Sequence, residues 1–331
     1  MDQLTAILLF PGAAALIVGL ASLSRGRFWR NAVASLLIVL GTASASAAGY
    51  RYWYFHRPIP EPITQQLFDG VTYERLILQS PRPLVVHVVA IDLVAQGIGF
   101  LVTPPDPDSS RQLKARTTAE FVRDHKVQVA VNAMFFMPWH SNGPFDYYPH
   151  SGDPVDVKGL AISRGRTYSS VLRPPAVLSI SRDNRATIGA PVPNAYNAVS
   201  GDRMLIRDGT VLRRDLARLN GIAPRTAVAL DRSGRRLLLI VVDGRQPNYS
   251  EGVSFCELAD LVRSVGGHNA MSLDGGGSSS LVVEGAGGRP RVVNSPCHGL
   301  HPPGRLRPVA NHLGVFARRL PQKPNSRPPV P

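Results

Sequence analysis

The sequence has little cysteine, and it lacks the common nucleotide-binding and nucleophile motifs. Its two cysteines, Cys256 and Cys297, exclude a disulfide-rich scaffold and leave a single disulfide open. His298 and His301 follow Cys297 at a spacing that fits no metal-ligand pattern, which favours a plain loop there. No G-K-[ST] or G-x-S-x-G motif occurs, so the chain has neither a P-loop nor a serine nucleophile elbow.

Acidic residues are also scarce, and the net charge is +14. Much of the excess lies at the ends of the chain: residues 1–60 hold five basic residues and one acidic residue, and four more basic residues follow residue 317. The remainder holds 28 basic and 22 acidic residues in a scattered arrangement, without a basic run interleaved with aromatics. The charge therefore does not predict nucleic acid as a partner.

Two uncharged apolar segments occupy residues 4–23 and 32–49, and we interpret residues 1–50 as a membrane anchor. A spanning helix needs about 20 mostly apolar residues, so the first segment qualifies and the second, which ends in small residues, is weaker. One or two transmembrane helices are thus predicted. The second segment could instead be a signal-like sequence cut near residues 43–47.

The loop between these segments carries Arg25, Arg27 and Arg30, whereas the extreme N-terminus carries only Asp2. Basic loops stay in the cytoplasm, so the chain after residue 50 is predicted to lie outside it, as a membrane-anchored extracytoplasmic domain. Arg51 and Arg57 oppose this orientation, because they add positive charge on the predicted outer side. The aromatic residues 52–55 are typical of a membrane interface.

Beyond the anchor we predict a proline-containing linker at residues 51–66, one domain at 67–317 and a disordered tail at 318–331. Strand patterns dominate the domain, and RSGRR predicts a hairpin turn at Ser233-Gly234. Capping boxes at Thr117 and Ser254 predict two helices. The expected fold class is α+β, a mixed β-sheet with packed helices.

Three predicted strands end in polar residues, namely Asn132, Asp243 and Asp274. Binding sites commonly form at such ends. Asp274 opens the stretch DGGGSSS (Gly275, Gly276, Gly277, Ser278, Ser279), whose backbone N–H groups could form an anion-binding nest. The alternative is a glycine hairpin turn without a ligand.

The other motifs have ordinary explanations as well. Arg245, in Asp243-Gly244-Arg245, can grip a phosphate or close a turn with the aspartate. Arg225, beside Thr226, is either a ligand or a solvated charge at a sheet edge. Phe136 and its neighbours Phe135 and Trp139 can stack on a sugar, although adjacent phenylalanines are often core residues.

Taken in order, the motifs are Asn132-x-x-Phe135-Phe136, Pro224-Arg225-Thr226, Asp243-Gly244-Arg245 and Leu273–Ser279. A closing segment contains Arg307, Pro308 and Asn311. Over residues 117–317 this order resembles the phosphodiester glycosidase family. The family usually has small residues after the asparagine where this chain has Ala133 and Met134, which implies a pocket of different shape if that turn contacts sugar.

The resemblance implies hydrolysis between the anomeric carbon of a sugar and a phosphodiester, in envelope or exported glycans such as exopolysaccharides. It implies Asp243 and Asp274 as catalytic residues, and the sequence does not assign the roles between them. Substrate contacts are expected from Asn132, Phe136, Arg225, Thr226, Gly244, Arg245, Gly275, Gly276, Gly277, Ser278, Ser279 and Asn311.

The implied partners are a sugar-1-phosphodiester or phosphoglycan substrate and the membrane. No cofactor and no metal site are predicted, and a divalent cation bridging carboxylate and phosphate stays open. A non-catalytic glycan-binding or polysaccharide-export accessory protein would use the same binding residues. A phosphodiesterase that cuts the P–O bond is the third alternative.

Overall fold

The structure, a computed structural model, describes residues 28–170, 176–218 and 221–321. These residues divide into two compact units, of which the first comprises the residues up to Ile59 together with Gln246–Tyr249. Its main element is helix α1, Phe28–Phe55, which contains the second apolar segment. The 25 residues Asn31–Phe55 contain an 18-residue window with a mean hydropathy of 1.7, and they are long and apolar enough to cross a membrane or to serve as a signal sequence. The first apolar segment, 4–23, lies outside the described residues.

Among the described residues, the second unit contains the strands and three further α-helices. The helices are α2 (Thr118–His125), α3 (Arg213–Leu216) and α4 (Phe255–Ser264). The strands are β1 (Ile63–Phe68), β2 (Val71–Leu78), β3 (Leu84–Asp92), β4 (Gly99–Val102), β5 (Leu113–Lys114), β6 (Val129–Asn132), β7 (Phe136–Met137), β8 (His140–Gly143), β9 (Asp146–Tyr148), β10 (Pro154–Val157), β11 (Ala161–Ser163), β12 (Arg166–Ser169), β13 (Ala176–Ile180), β14 (Ala186–Gly189), β15 (Asn197–Gly201), β16 (Arg203–Arg207), β17 (Thr210–Val211), β18 (Arg225–Leu230), β19 (Arg236–Val242), β20 (Asn269–Ser272), β21 (Leu281–Glu284), β22 (Pro290–Val292) and β23 (His312–Phe316).

The strands form one eight-stranded sheet, two five-stranded sheets and two small sheets. The large sheet has the order β1-β2-β3-β19-β18-β20-β16-β17, and the five-stranded sheets have the orders β22-β21-β6-β23-β4 and β12-β11-β15-β13-β14. The small sheets are β5-β10-β7 and β8-β9. The coarse prediction of a sheet-rich protein with few helices is confirmed.

The predicted mixing of strand directions is not found, because all strand pairs among the described residues are antiparallel. Helix α4 does connect two strands of equal direction, β19 and β20. Strand β18 lies between them and pairs antiparallel with both. The carboxyl ends of β19 and β20 therefore meet at one edge of the sheet.

The core lies between the large sheet and the two five-stranded sheets, where Val228, Leu239 and Met271 pack with Val131 and Val199. The other face of the large sheet is covered by the apolar side of α4. Both predicted capping boxes are present. The side chains of Thr117 and Ser254 each accept from the backbone N–H of the glutamate three residues on, and the carboxylate of that glutamate accepts from the backbone N–H of the cap residue.

The boundaries of the domain differ from the predicted ones at both ends. Helix α1 extends to Phe55 and β1 begins at Ile63, so the predicted linker 51–66 is irregular only between these residues. At the other end, the Asp69 N–H donates to the Arg318 carbonyl at 2.9 Å, so the first residues of the predicted tail pack on the domain. Residues 322–331 lie outside the described residues.

Candidate active site

A cavity of about 410 Å³ opens beside the carboxyl ends of β19 and β20, next to the glycine-rich stretch that follows Asp274. Aromatic side chains, arginines, glycines and one carboxylate form its wall. The lining residues are Phe135, Phe136, Trp139, Ala223, Arg225, Arg245, Asp274, Gly275, Gly276, Gly277 and Arg307. The cavity thus brings together residues that are far apart in sequence.

Asp274 supplies the only carboxylate among these lining residues. It follows β20, and two backbone bonds hold it: its N–H donates to the Ala133 carbonyl at 2.8 Å, and its carbonyl accepts from Asn132 Nδ2 at 2.7 Å. Burial raises the pKa of Asp274 to about 6, against the opposing effects of the Ser278 hydroxyl and the Arg307 guanidinium. A carboxylate with such a pKa can accept a proton or attack as a nucleophile near neutral pH.

The glycines allow two arginines to pack against the loop that follows Asp274. A Cβ atom on Gly277 would overlap Arg307 Nη2 and would lie 2.8 Å from the Cys297 carbonyl oxygen. A Cβ atom on Gly276, which has φ +60°, would lie 3.2 Å from Arg245 Nη2. Residues without side chains are therefore required because guanidinium groups pack directly on the loop.

The predicted nest of free N–H groups is not found, because protein acceptors occupy most of them. Gly276 N–H donates to the Pro224 carbonyl at 2.8 Å, and Gly275 N–H donates to the Asp274 carboxylate. Ser278 and Ser279 donate within the turn, to Gly275 and Gly276. Positive charge at this site therefore comes mainly from the arginines.

Arg225 borders the cavity from β18 and is firmly held. Its guanidinium carbon lies 3.8 Å from the centre of the Phe255 ring, and its Nε and Nη2 donate to the carbonyls of Val253 and Gly221. Burial, together with the charges of the nearby Arg203 and Arg245, lowers the pKa of Arg225 to about 10, so the side chain is still a cation at neutral pH. It is a fixed charge at the edge of the cavity.

Arg307 is a site residue that the predicted substrate contacts did not include. Its Nε donates to His298 Nδ1 at 3.2 Å, and its guanidinium carbon lies 5.1 Å from the Trp139 ring centre. Burial, together with the charge of Arg307, lowers the pKa of His298 to about 4, so the imidazole is neutral and can accept that bond. The only sequence signal for Arg307 was its place in the closing segment of the family.

Asp243 lies beneath the cavity and does not line it, which separates it from Asp274. Its carboxylate accepts from Asn294 Nδ2 at 3.0 Å and from Ser295 N–H at 2.9 Å, and it lies 3.2 Å from His87 Nε2. The side chain is 1% exposed. Through Asn294 and Ser295, Asp243 holds the start of the segment that leads to Cys297 and His298, and its catalytic role stays a prediction.

Asn132, Thr226, Ser279 and Asn311 are buried behind the wall. Asn132 Oδ1 accepts from Thr226 Oγ1 at 2.9 Å and from Ser280 N–H at 3.1 Å, while its Nδ2 donates to Asp274. Asn311 Oδ1 accepts from Met134 N–H at 3.0 Å. The hydrogen bonds of Asn132, Thr226 and Asn311 Oδ1 therefore hold the backbone around Asp274. Among the described residues, Ser279 Oγ and Asn311 Nδ2 have no hydrogen-bond partner.

Two further predicted substrate contacts, Gly244 and Ser278, also interact with the protein itself. Gly244 does not line the cavity: a Cβ atom there would lie 2.5 Å from Pro224 N, so it permits close backbone packing. Ser278 donates to the Asp274 carboxylate. Ala133 and Met134 are buried in the core, so they do not shape the cavity.

The aromatic wall matches the predicted sugar-stacking residues. Phe136 is buried, whereas Phe135 and Trp139 are 37% and 46% exposed. Exposed aromatic faces beside a carboxylate and guanidinium groups suit a sugar ring attached to an anion. Within the described ranges, no group of three or more His, Cys, Asp or Glu side chains is arranged to hold a metal ion.

Comparisons with known proteins agree with this arrangement. The family described as phosphodiester glycosidase matches residues 125–316. Over 67 residues the chain is 40% identical to N-acetylglucosamine-1-phosphodiester alpha-N-acetylglucosaminidase of Bos taurus, a match that covers 20% of this chain and 12% of the bovine protein.

Two solved structures share the fold. A hypothetical protein from Synechocystis has a TM-score of 0.60 at 17% identity, with 78% of this chain and 64% of that chain covered. The catalytic domain of zebrafish N-acetylglucosamine-1-phosphodiester alpha-N-acetylglucosaminidase, auto-inhibited by its pro-peptide, has a TM-score of 0.54 at 20% identity, with 80% and 86% covered. The chain thus spans less than two thirds of the bovine and Synechocystis proteins. Because the family match covers more than half of this chain, the chain belongs to the phosphodiester glycosidase family, a family of hydrolases.

Proposed function

We propose that this protein hydrolyses the bond between the anomeric carbon of a sugar and a phosphodiester. The observation that carries the proposal is the position of Asp274, a buried carboxylate with a pKa of about 6, in one cavity with Arg245 and Arg307. The cavity offers a carboxylate for the sugar carbon and cations for the phosphate.

The reaction breaks the bond between the anomeric carbon and the phosphate oxygen, and the electron pair leaves with the oxygen. The leaving phosphomonoester gains a second negative charge, and its conjugate acid has a pKa of about 6, so it departs without a strong general acid. Arg245 and Arg307 stabilise the new charge. Asp274 supplies the carboxylate at the anomeric carbon. The new hydroxyl group on the anomeric carbon of the released sugar comes from water.

The aromatic wall holds the sugar in this proposal. Trp139 and Phe135 present exposed ring faces on which a sugar can stack, while Arg307 fixes the phosphate beside Trp139. The names of the bovine and zebrafish relatives specify N-acetylglucosamine-1-phosphodiesters, so an α-linked N-acetylglucosamine is the first sugar to test.

We place the reaction outside the cytoplasm, on phosphodiester-linked sugars of envelope or exported glycans. Helix α1 is long and apolar enough to anchor the chain, and the arginines that precede it favour a cytoplasmic N-terminal side. Labelling of cysteines introduced at Ser24 and Ser233 with an impermeant thiol reagent, in intact cells, tests this topology. Labelling at Ser24 alone contradicts it.

The activity is tested with the full chain in detergent micelles and a panel of α-linked sugar-1-phosphodiesters in isotopically labelled water. Free sugar together with an unlabelled phosphomonoester supports cleavage at carbon, whereas label in the phosphate moves the reaction to the P–O bond. The configuration of the first-formed sugar shows whether Asp274 attacks directly or activates water.

Asp274→Asn should abolish turnover and retain binding, whereas Asp183→Asn, a surface substitution, should leave both turnover and binding unchanged. If the wild-type protein binds the diesters and releases no product, the proposal is wrong and a glycan-binding accessory role replaces it.

A further inference from the structure

A second cavity, of about 300 Å³, adjoins the candidate active site and takes no part in the proposed chemistry. Its wall includes the aromatic residues Phe145 and Tyr147 and the basic residues His150, His298, His301 and Arg305. His298 connects the two cavities, because its Nδ1 accepts from Arg307 Nε at 3.2 Å. The two cavities therefore lie next to each other, with Arg307 in the wall of one and His298 in the wall of the other.

The aromatic surface also continues from one cavity to the other. The ring of Trp139 stacks on Tyr147 with centroids 6.5 Å apart and planes inclined by 15°. Tyr147 lies 5.1 Å from the His298 ring, and Phe145 lies 5.8 Å from the His301 ring. The hairpin β8–β9 thus carries ring faces outward from the active site.

Close packing fixes this arrangement in place. Gly299 has φ +57°, and a Cβ atom on it would overlap the Tyr147 ring, so the backbone after His298 lies directly against the tyrosine. Tyr147 Oη also accepts from Leu300 N–H at 3.2 Å. The second cavity is therefore a built concavity between the hairpin and the 298–305 segment.

The charge of this cavity is concentrated on Arg305. Burial lowers the pKa of His298 and of His301, so both imidazoles are neutral and offer N–H donors. His150 is paired with Asp146 and Asp153, which offset its charge. Arg305 Nη1 lies 3.1 Å from His301 Nδ1 at the far end, with an exposed side chain.

We propose that this cavity binds the next sugar-phosphate unit of a repeating phosphoglycan, so that the enzyme acts on polymers rather than on isolated diesters. The inference rests on the proposed function. Tyr147 and Phe145 stack on the sugar that follows the scissile phosphate, and Arg305 with His301 binds the second phosphate. Phe145 is 63% exposed, as expected for a ring that meets a ligand rather than the core.

Two synthetic substrates test the inference: a sugar-1-phosphodiester with one neutral sugar as its leaving side, and the same compound with a further phosphate on that sugar. The wild-type protein should have a roughly tenfold lower KM for the second compound, in line with one charge-assisted contact. Arg305→Ala should erase this preference without changing turnover of the first compound. Phe145→Ala should raise the KM for both compounds.

The controls are Arg185→Ala, which removes an exposed arginine elsewhere, and Val192→Ala, which removes an exposed apolar side chain. Neither should alter the preference between the two compounds. Equal KM values in the wild-type protein, or a preference that survives Arg305→Ala, overturn the inference while leaving the proposed function intact.

Binding to Asp274→Asn, followed by calorimetry, separates the two proposals. If no compound is turned over by the wild-type protein, the proposed function fails. If the second cavity is a phosphoglycan site, Asp274→Asn must still bind the compound with the further phosphate more tightly than the compound without it. This difference in affinity must disappear when Arg305→Ala is added to Asp274→Asn.

Discussion

Replacing Asp274 with asparagine should inactivate the protein and at the same time make it more stable, by an amount that grows with pH. The folded protein raises the pKa of this carboxyl from 3.8 to about 6, chiefly because burial penalises the ionised form. Asparagine has the same shape and no charge, and its amide oxygen can still accept from Ser278 and Gly275. The substitution therefore removes the penalty and little else.

The magnitude follows from the two pKa values. Below pH 3.8 the carboxyl is neutral in both the folded and the unfolded chain, so its burial costs nothing. Between pH 3.8 and about 6 the unfolded chain ionises first, and stability falls as the pH rises. Above this window the buried carboxylate lowers the free energy of unfolding by its full amount, about 3 kcal/mol, since one pKa unit is about 1.4 kcal/mol. At pH 4.5 the same relation yields about 1 kcal/mol.

Urea unfolding of the full chain in detergent micelles, followed by circular dichroism at pH 4.5 and pH 8, measures this difference. Asp274→Asn should gain about 1 kcal/mol at the lower pH and about 3 kcal/mol at the higher pH. Asp183→Asn is the matched control: the Ser181 hydroxyl lowers the pKa of this exposed carboxyl, so no gain is expected at either pH. A stability gain that does not depend on pH, or a loss at pH 8, refutes the reasoning.

Four further results are expected. The kcat/KM for a sugar-1-phosphodiester should fall as the pH drops through about 6, because the raised pKa of Asp274 leaves it protonated there, and a flat profile from pH 5 to 8 would contradict its role. Arg307→Lys should lower kcat roughly 10²-fold with the charge kept, since lysine lacks the planar fork; a fully active variant would exclude Arg307 from the site. Gly277→Ala should cost about 1–3 kcal/mol in unfolding free energy and displace Arg307, whereas Gly143→Ala, with no atom within 4 Å of its Cβ, should be neutral in the same urea titration. Asp243→Asn should destabilise the protein by about 1–3 kcal/mol at pH 7, because Asn294 and Ser295 N–H lose a carboxylate acceptor, and an undiminished urea midpoint would contradict a supporting role.

Local patterns predicted most of the secondary structure around the site. The capping boxes at Thr117 and Ser254 mark the starts of α2 and α4, because the cap and its glutamate are neighbours in sequence. The Ser233-Gly234 turn joins β18 and β19 into a hairpin, because turn-forming residues lie between two apolar runs. Strand directions could not be predicted, because they depend on which sheet each strand joins.

The two aspartates show why the site itself was harder to predict. Asp243 and Asp274 both follow buried strands and both precede a glycine, so their local sequences are equivalent. Their environments differ through contacts from distant segments: Asn294 and Ser295 surround Asp243, whereas Arg307 lies near Asp274. A single sequence does not contain these pairings, so the separation of the two carboxylates appears only in three dimensions.

The arginines also explain how binding energy could be converted into rate. Arg225 and Arg307 each have a lowered pKa, chiefly from burial and with a smaller contribution from the charge of Arg245, so gathering these cations costs free energy in the folded protein. A bound phosphodiester, with one negative charge, offsets part of this cost. As the anomeric bond breaks, the phosphate gains its second charge, and the attraction to the same fixed cations increases. The interaction is therefore stronger in the transition state than in the bound substrate, which is the condition for raising kcat rather than only lowering KM.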